Sequence, residues 1–292
     1  MGNVRDAMRR QQQEQQAQAS SAAPDDTAAL SPDQPAQQRA GGTVVAACAL
    51  QPAPADAPQE QAPQRAYERD GRYSLALVAH HDRGGQIAEQ YRALRTSLLT
   101  LFHNQPFALL ITSAESGEGK TVTCMNLGLV LAERPELSVA VVDCDLRKGR
   151  LYALLGIAPE PGMTDLLKGT TTLDQIIQPT VYSNLSAIPA GKTAGEDVAS
   201  LITRPELAKA IAELRRRFDC VLLDSPPVNP ISDAASLGHL TGDALMVVRM
   251  NKTRRESVDR AIRLLDAANV KLAGAVLTHQ KYFLPKYIYR YS

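Results

Sequence analysis

A glycine-containing loop lies between an apolar run and an amphipathic segment near the middle of the 292-residue chain. The apolar run is FALLITS, the loop is AESGEGKT at residues 114–121, and the segment after it is TCMNLGLVLAE. A loop in this strand-then-helix context binds phosphate, because glycines let backbone amides turn toward phosphate oxygens and the helix N-terminus favours negative charge. A simple glycine turn is the alternative for the isolated string, and the flanks argue against it.

The loop residues predicted to contact a nucleotide triphosphate form one continuous stretch: Ser116, Gly117, Glu118, Gly119, Lys120, Thr121 and Val122. Lys120 would reach the β- and γ-phosphates, and the Thr121 hydroxyl would ligate Mg²⁺. Ala114 stands at the first position of the motif, where glycine is usual. The prediction is a site for a nucleotide with Mg²⁺.

From about residue 107 to residue 278, short apolar runs alternate with longer amphipathic segments. The predicted strands are FALLITS, SVAVVD, NLSAIPA, FDCVLLDS, GDALMVVRM and VKLAGAVLTH. The intervening predicted helices include TCMNLGLVLAE, RPELAKAIAELRRR and RRESVDRAIRLLDAA. This alternation predicts an α/β fold of the P-loop NTPase type, with a mostly parallel sheet and helices on both faces. Ligands of such sheets bind at the carboxyl ends of the strands.

Carboxylates stand at the ends of two of these strands. Asp143 and Asp145 close the run AVVDCD, and because strand side chains alternate they would share one face and need a cation or a proton. Asp224 closes VLLD and could hold Mg²⁺ through its water shell, while Pro226 and Pro227 force the chain to turn. A solvated strand end is the alternative for one of the first two acids, and a strand-ending turn is the alternative for Asp224. The phosphate loop and these two strand ends in one chain nevertheless favour a shared site.

The first seventy residues differ in composition from the rest. They are dominated by Gln, Ala and Pro, as in QQQEQQAQAS, and such a segment cannot bury enough apolar surface to offset its ordering entropy. We therefore predict a disordered arm at 1–70, a linker and oligomerisation helix at 71–105, a P-loop domain at 106–279 and a tyrosine-rich tail at 280–292.

Several classes of protein are disfavoured by composition. No stretch approaches the roughly 20 apolar residues of a membrane-spanning helix, and the net charge of +1 gives no nucleic-acid footprint. The opening MGNVRD has Asp6 where a myristoylation signal has Ser or Thr, and it lacks the apolar core of an export signal. The four cysteines form no CxxC pair, which argues against a zinc site or disulfides and fits a reducing cytoplasm: Cys48, Cys124, Cys144 and Cys220.

These motifs resemble those of the bacterial tyrosine kinases, the cytoplasmic autokinases of capsule and exopolysaccharide systems, from about Gln86 to Tyr291. The loop matches the family's Walker A motif, and D-x-D-x-R of Walker A′ is matched by Asp143, Asp145 and Arg147. Walker B, with D-S-P-P, is matched from Asp224. The family's tyrosine-rich tail is matched by four of the chain's nine tyrosines: Tyr282, Tyr287, Tyr289 and Tyr291. The string AEQYRALRTSL is similar to the family's E-x-x-R-x-x-R subunit-contact motif through Glu89, Arg92 and Arg95.

The resemblance implies an ATP-dependent tyrosine autokinase that phosphorylates its tail in trans. Lys120, Asp143, Asp145, Arg147 and Asp224 would be catalytic, with Thr121, Asp145 and Asp224 holding the metal. It also implies a homo-oligomer, localised peripherally at the inner face of the membrane through a separate transmembrane polysaccharide-chain regulator, which activates the kinase. Leu277–Thr278 stands where the family often has Leu-Asn, so the resemblance leaves adenine recognition open.

The upstream string also has a physical interpretation. Four apolar residues at helical spacing are expected to face the core: Ile87, Tyr91, Leu94 and Leu98. Glu89, Arg92 and Arg95 would then form a charged stripe facing away from it, either for a subunit contact or, more simply, for a local ion pair between Glu89 and Arg92.

Two other functions compete with the kinase. The first is a partner-regulated ATPase switch resembling the partitioning and division-site ATPases, which carry a second lysine where this chain has Glu115. The second is an interaction protein that binds ATP only to set its oligomeric state. For the tail, an aromatic strand packed on the core is the alternative to an exposed substrate segment.

Overall fold

The computed structural model describes residues 73–193, 195, 197–230 and 233–279. Ten helices occur in these ranges: α1 (Val78–His81), α2 (Gln86–Leu101), α3 (Lys120–Leu131), α4 (Leu151–Leu155), α5 (Met163–Lys168), α6 (Leu173–Ile176), α7 (Val198–Ile202), α8 (Pro205–Arg217), α9 (Asp233–Thr241) and α10 (Arg255–Ala267). Seven strands accompany them: β1 (Phe107–Ser113), β2 (Val139–Asp143), β3 (Gln178–Pro179), β4 (Leu185–Ile188), β5 (Cys220–Asp224), β6 (Asp243–Arg249) and β7 (Lys271–Thr278). The predicted tail tyrosines and the 1–70 arm lie outside the described residues.

The strands form one sheet in the order β3-β4-β2-β5-β1-β6-β7. Every pairing is parallel except that between β3 and β4, which is antiparallel. All six predicted strands are confirmed within a residue or two of their ends, and the prediction of a mostly parallel sheet is confirmed as well. The carboxyl ends of β1, β2 and β5 therefore meet at one edge of the sheet.

Both faces of the sheet are buried. All seven residues of β1 are buried, but alternate residues enter different clusters: Phe107 and Leu109 pack beneath α2 and α3, whereas Ala108 and Leu110 pack against α8 and α9. This division follows from the two-residue period of a strand, and it requires helices on both faces. On the first face Gly128 of α3 lies directly against Val141, where an added Cβ would approach the valine side chain to 2.6 Å.

Residues 73–81 are part of this core rather than a free connection to it. Tyr73 and Leu77 are buried in the same cluster as α3. The Asn126 amide, fully buried in the middle of α3, accepts a hydrogen bond from the Ala79 N–H at 2.9 Å and donates one to the Ala76 carbonyl at 3.1 Å. A buried side-chain amide that is satisfied by distant backbone fixes the position of that backbone.

Helix α2 differs from its predicted orientation at two points. Leu98 is buried and Tyr91 and Leu94 pack against the core, but Ile87 is 53% exposed, so its assignment to the core face is wrong. Ile87 is the second residue of the helix, before the packed part of α2 begins. The prediction that Arg92 and Arg95 face away from the core is also wrong, because both guanidinium groups bond to Glu133 just after α3.

Candidate nucleotide site

The phosphate loop joins β1 to α3. Gly117 and Gly119 have φ of +79° and +97°, a left-handed conformation that side-chain-bearing residues rarely adopt, and this explains glycine at both positions. Gly119 is the residue before α3, which begins at Lys120, three residues earlier than predicted. Ser116 and Gly117 are exposed, whereas Lys120 is only 8% exposed, so the loop opens outward with a lysine at its base.

Thr121 and Asp224 bring the loop and strand β5 together. The Thr121 hydroxyl donates a 2.6 Å hydrogen bond to Oδ2 of Asp224. The other oxygen, Oδ1, is buried and has no hydrogen-bond partner within the described ranges. Burial, followed by the charge of Asp143, raises the pKa of Asp224, and Lys120 opposes that rise. Two parts of the chain that are 103 residues apart thus form one site.

Asp143 lies beside Asp224, since the two residues are register partners across β2 and β5. Its oxygens accept backbone hydrogen bonds from the N–H groups of Asp145 at 3.2 Å and Leu151 at 3.0 Å. Burial raises the pKa of Asp143 to about 7, more than these hydrogen bonds lower it, and the charge of Asp145 contributes to the rise. Asp143 and Asp224, hereafter the carboxylate pair, are therefore poised to share a proton or a cation.

Asp145 and Arg147 lie on the loop that follows β2. Asp145 is partly exposed, accepts a hydrogen bond from the Lys148 N–H at 3.1 Å, and adds its charge to both members of the carboxylate pair. The Arg147 Nε donates to Asp233 Oδ2 at 2.9 Å. Asp233 is the first residue of α9 and is buried, so this ion pair connects the loops that follow β2 and β5.

Thr121 and Asp224 fit a magnesium ion. The unpaired Oδ1 of Asp224 is the kind of buried acceptor that a cation or its bound water satisfies. No group of three or more His, Cys, Asp or Glu side chains within the described ranges is arranged to hold a metal ion. Mg²⁺ sites that accompany nucleotides commonly use one or two carboxylates together with phosphate oxygens and water.

The sequence motif E-x-x-R-x-x-R forms contacts inside the chain. Arg92 pairs with both Glu89 and Glu133, and Arg95 donates to Glu133 at 3.0 Å and to the Val130 carbonyl at 2.6 Å. The local Glu89–Arg92 ion pair is confirmed. We call Glu89, Arg92, Arg95 and Glu133 the arginine cluster, and it links α2 to the end of the phosphate-loop helix.

The chain is similar to several known proteins. The family model described as AAA domain matches residues 109–255. The tyrosine-protein kinase wzc of Salmonella typhi is 32% identical over 190 residues, which are 65% of this chain and 26% of that protein. The tyrosine-protein kinase YwqD of Bacillus subtilis is 28% identical over 214 residues, 73% of this chain and 90% of that protein. The kinase domain of the Escherichia coli tyrosine kinase ETK superposes with a TM-score of 0.68 and 27% identity, covering 76% of this chain and 86% of that one.

The chain belongs to the bacterial tyrosine kinase family. It spans about a quarter of the length of the Salmonella relative and nearly all of the Bacillus one. Among the described helices none is both long and apolar enough to cross a membrane. Within this family fold, the motif residues Lys120, Thr121, Asp143 and Asp224 converge at the carboxyl edge of the sheet.

Some residues of this candidate site were not predicted from the sequence. Asp233, which pairs with Arg147, and Glu133, which holds the two arginines, were not singled out. Asp233 stands in the string DSPPVNPISDA, nine residues after Asp224, where an acid at a helix start is an available signal. Glu133 carries no comparable signal, because its partners lie about forty residues away in sequence.

Proposed function

We propose that this chain is an ATP-dependent protein-tyrosine kinase that phosphorylates its own C-terminal tyrosine cluster on a neighbouring copy. The observation that carries the proposal is the junction of Thr121 and Asp224 at 2.6 Å, with Asp143 beside it in register. The phosphate loop and a carboxylate of raised pKa lie together at this junction, which supports a metal site there. The names of the related tyrosine-protein kinases support the same conclusion.

In this mechanism the loop and its lysine bind ATP. Backbone amides of residues 116–122 and the Lys120 ammonium hold the phosphates, while Thr121, Asp145 and Asp224 are the metal-holding residues. Bound Mg²⁺ would supply neutralisation of the negative charge that phosphate oxygens carry during transfer. Phosphoryl transfer asks the protein mainly for positioning and charge stabilisation, which a preformed loop above a buried lysine can provide.

Asp143 is the proposed general base. Burial raises the pKa of the Asp143 carboxyl toward neutrality, and a base whose pKa lies near the working pH is well suited to accept a proton. The tyrosine O–H proton passes to its carboxylate as the phenolic oxygen bonds to the γ-phosphorus, and the bond from that phosphorus to the departing ADP oxygen breaks. Because only the carboxylate form accepts the proton, transfer should increase as the pH rises through about 7.

The tail is the proposed substrate. Residues 280–292 contain Tyr282, Tyr287, Tyr289 and Tyr291 together with Lys281, Lys286 and Arg290, and no acid. A segment of charge +3 is attracted to an acidic site, and four phosphates would add about −6 to −8 charges and weaken that attraction. An assembly that phosphorylates its own tails should therefore loosen as the reaction proceeds.

The proposed cellular role is taken from the family resemblance. We propose that the chain regulates exopolysaccharide or capsule polymerisation and export, forms homo-oligomers, and is activated at the inner face of the membrane by a separate transmembrane polysaccharide-chain regulator. Relatives named as tyrosine-protein kinases, one of them assigned to a cps region, support this role. For the subunit contact, Glu89 is the most exposed member of the arginine cluster.

Incubation with γ-labelled ATP tests the activity. Label that resists alkali and is lost when residues 280–292 are removed would support a tyrosine autokinase. Phosphate release without labelled protein would indicate the ATPase switch, and binding without either would indicate the interaction protein.

A mixing experiment tests transfer between copies. The acceptor is the Lys120→Met variant with its tail, and the donor is an active chain without residues 280–292. Labelled tyrosines on the acceptor would support transfer in trans. An unlabelled acceptor, with wild-type labelling independent of concentration, would establish transfer within one chain.

A further inference from the structure

Glu118, between the two glycines of the phosphate loop, has a buried side chain. Only 2% of the residue is exposed, although its neighbours Ser116 and Gly117 face solvent. Burying a carboxylate is unfavourable unless hydrogen bonds or opposite charges satisfy it. A glutamate retained in such a place needs partners, and the structure shows which they are.

Three donors converge on the Glu118 carboxylate. Oε2 accepts the Glu115 backbone N–H at 2.8 Å, which closes the loop on itself. Oε1 accepts the Thr253 hydroxyl and, at 3.4 Å, the Arg249 backbone N–H. The carboxylate therefore joins the phosphate loop to the connection between β6 and α10.

The backbone of Glu118 makes a further connection. Its carbonyl accepts the Thr278 hydroxyl at 2.8 Å, at the end of β7. Glu118 is thus bonded to the end of β6 through its side chain and to the end of β7 through its backbone carbonyl. Since Gly117 and Gly119 leave the loop backbone free to adopt many conformations, these bonds are what select one of them.

We propose that Glu118 is a positioning residue that holds the phosphate loop in its nucleotide-binding conformation by accepting hydrogen bonds, mainly from Glu115 N–H and Thr253. This inference rests on the proposed function for the identity of the nucleotide. Its negative charge by itself would repel a triphosphate, so charge and hydrogen bonding act on nucleotide affinity in opposite directions. Variants that remove the charge of Glu118 but differ in hydrogen-bond acceptors therefore show which effect controls nucleotide affinity.

Glu118→Gln and Glu118→Met provide that separation. Both remove the charge and keep a similar volume, but glutamine retains one acceptor oxygen and methionine retains none. If acceptors hold the loop, affinity for a fluorescent ATP analogue with Mg²⁺ should fall about 5-fold in Glu118→Gln and about 50-fold in Glu118→Met, in line with the loss of one or more hydrogen bonds to a charged group. Equal effects in the two variants, or unchanged or tighter binding, would overturn the inference.

Thr253→Val tests the partner on the other side. It should weaken binding about 5-fold, and adding it to Glu118→Met should produce little further loss, because the bond is already absent. Ser257→Ala is the matched control: it removes a hydroxyl of α10 that donates to the Glu115 side chain at 2.7 Å, an exposed contact, and should leave affinity within about 2-fold. Additive losses in the double variant would contradict the proposed bond.

Thermal unfolding without nucleotide checks that each variant is folded. If Glu118→Met does not fold, the test uses Glu118→Gln, Thr253→Val and their double variant. A loss of affinity in the double variant that is smaller than the sum of the two single losses would support the bond. Binding is measured without phosphoryl transfer, so the two proposals can fail separately. A wild-type chain that binds no ATP would refute the proposed function, whereas normal binding in every variant would refute only the role of Glu118.

Discussion

The carboxylate pair and the arginine cluster both hold charged groups partly or fully out of water. The two regions differ in how many hydrogen-bond and ion-pair partners those groups have. Asp143 and Asp224 lie side by side, burial raises the pKa of each, and one Asp224 oxygen has no hydrogen-bond partner within the described residues. In the arginine cluster two guanidinium groups share the Glu133 carboxylate, and Glu89 adds a third ion pair.

The difference indicates what each region needs. The carboxylate pair combines raised pKa values with a buried oxygen that has no partner among the described residues, and such groups are typical of a site for a cation and a triphosphate. The arginine cluster is largely complete, so its residues stabilise the packing of α2 on α3 even without a second subunit. A motif that resembles a subunit contact thus has an internal role as well.

The largest expected effect is at the phosphate loop. Lys120→Met should reduce autophosphorylation about 1,000-fold, because it removes the cation at the base of the loop. The unfolding temperature should change little, since a residue of similar length replaces the lysine. Lys252→Met, an exposed lysine on the turn after β6, is the control and should be labelled like the wild type. Normal labelling of Lys120→Met would refute the nucleotide site.

Asp143→Asn should reduce kcat about 100-fold while changing ATP affinity less than about 3-fold, because the proposed work of Asp143 is on the tyrosine hydroxyl. Rapid-quench measurements of transfer, with nucleotide binding measured separately, would check this split. Equal losses in transfer and binding would instead place Asp143 among the metal-holding residues.

The carboxylate pair should also make the nucleotide-free chain less stable as the pH rises. The pKa of Asp143 is about 7 in the folded chain and ordinarily near 3.8, so the folded state binds this proton more tightly. Its contribution is therefore most favourable below pH 4 and is lost as the pH rises through about 7. Denaturant titrations of wild type and Asp143→Asn at pH 5 and pH 8 would measure it. The variant should lose less stability between the two; identical losses would contradict the raised pKa.

The smallest effect is expected in the arginine cluster. Replacing Arg92 and Arg95 with Ala should lower the free energy of unfolding by about 1.5 kcal/mol, because Glu133 is left partly buried without a counter-charge. Arg134→Ala, whose ion pair with Glu136 is well exposed, should change it by less than about 0.5 kcal/mol. Light scattering would show in parallel whether assembly also weakens. If the double variant were as stable as the wild type, the proposed role of these arginines within one chain would be wrong, and only the subunit contact would remain.

The sequence predicted the parts of the fold that depend on local pattern. Each parallel strand is a compact apolar run, and the glycines around Lys120 indicate the loop because few other residues adopt positive φ. Strand β3 was missed because it contains only Gln178 and Pro179, too short for any periodicity. The short helices from α4 to α7 were missed for the same reason.

Pairings between distant residues could not be predicted. Helical spacing assigns Arg92 and Arg95 to a common side of α2, but nothing in that spacing identifies Glu133 as their partner. Similarly, Arg147 was recognised by its motif, whereas its bond to Asp233 depends on how two loops meet at the sheet edge. Local patterns determine elements, and the side chains that join elements follow from the three-dimensional packing.

Hydrogen exchange at the Ala79 amide can report on the nucleotide site, because this amide is bonded to Asn126 in the phosphate-loop helix. The Ala79 N–H is buried and donates to a side chain in the helix whose first residue is Lys120. Its exchange with deuterated solvent requires that bond to open, so the exchange rate measures how firmly the helix is held. If ATP stiffens the phosphate loop and its helix, the Ala79 amide should exchange more slowly.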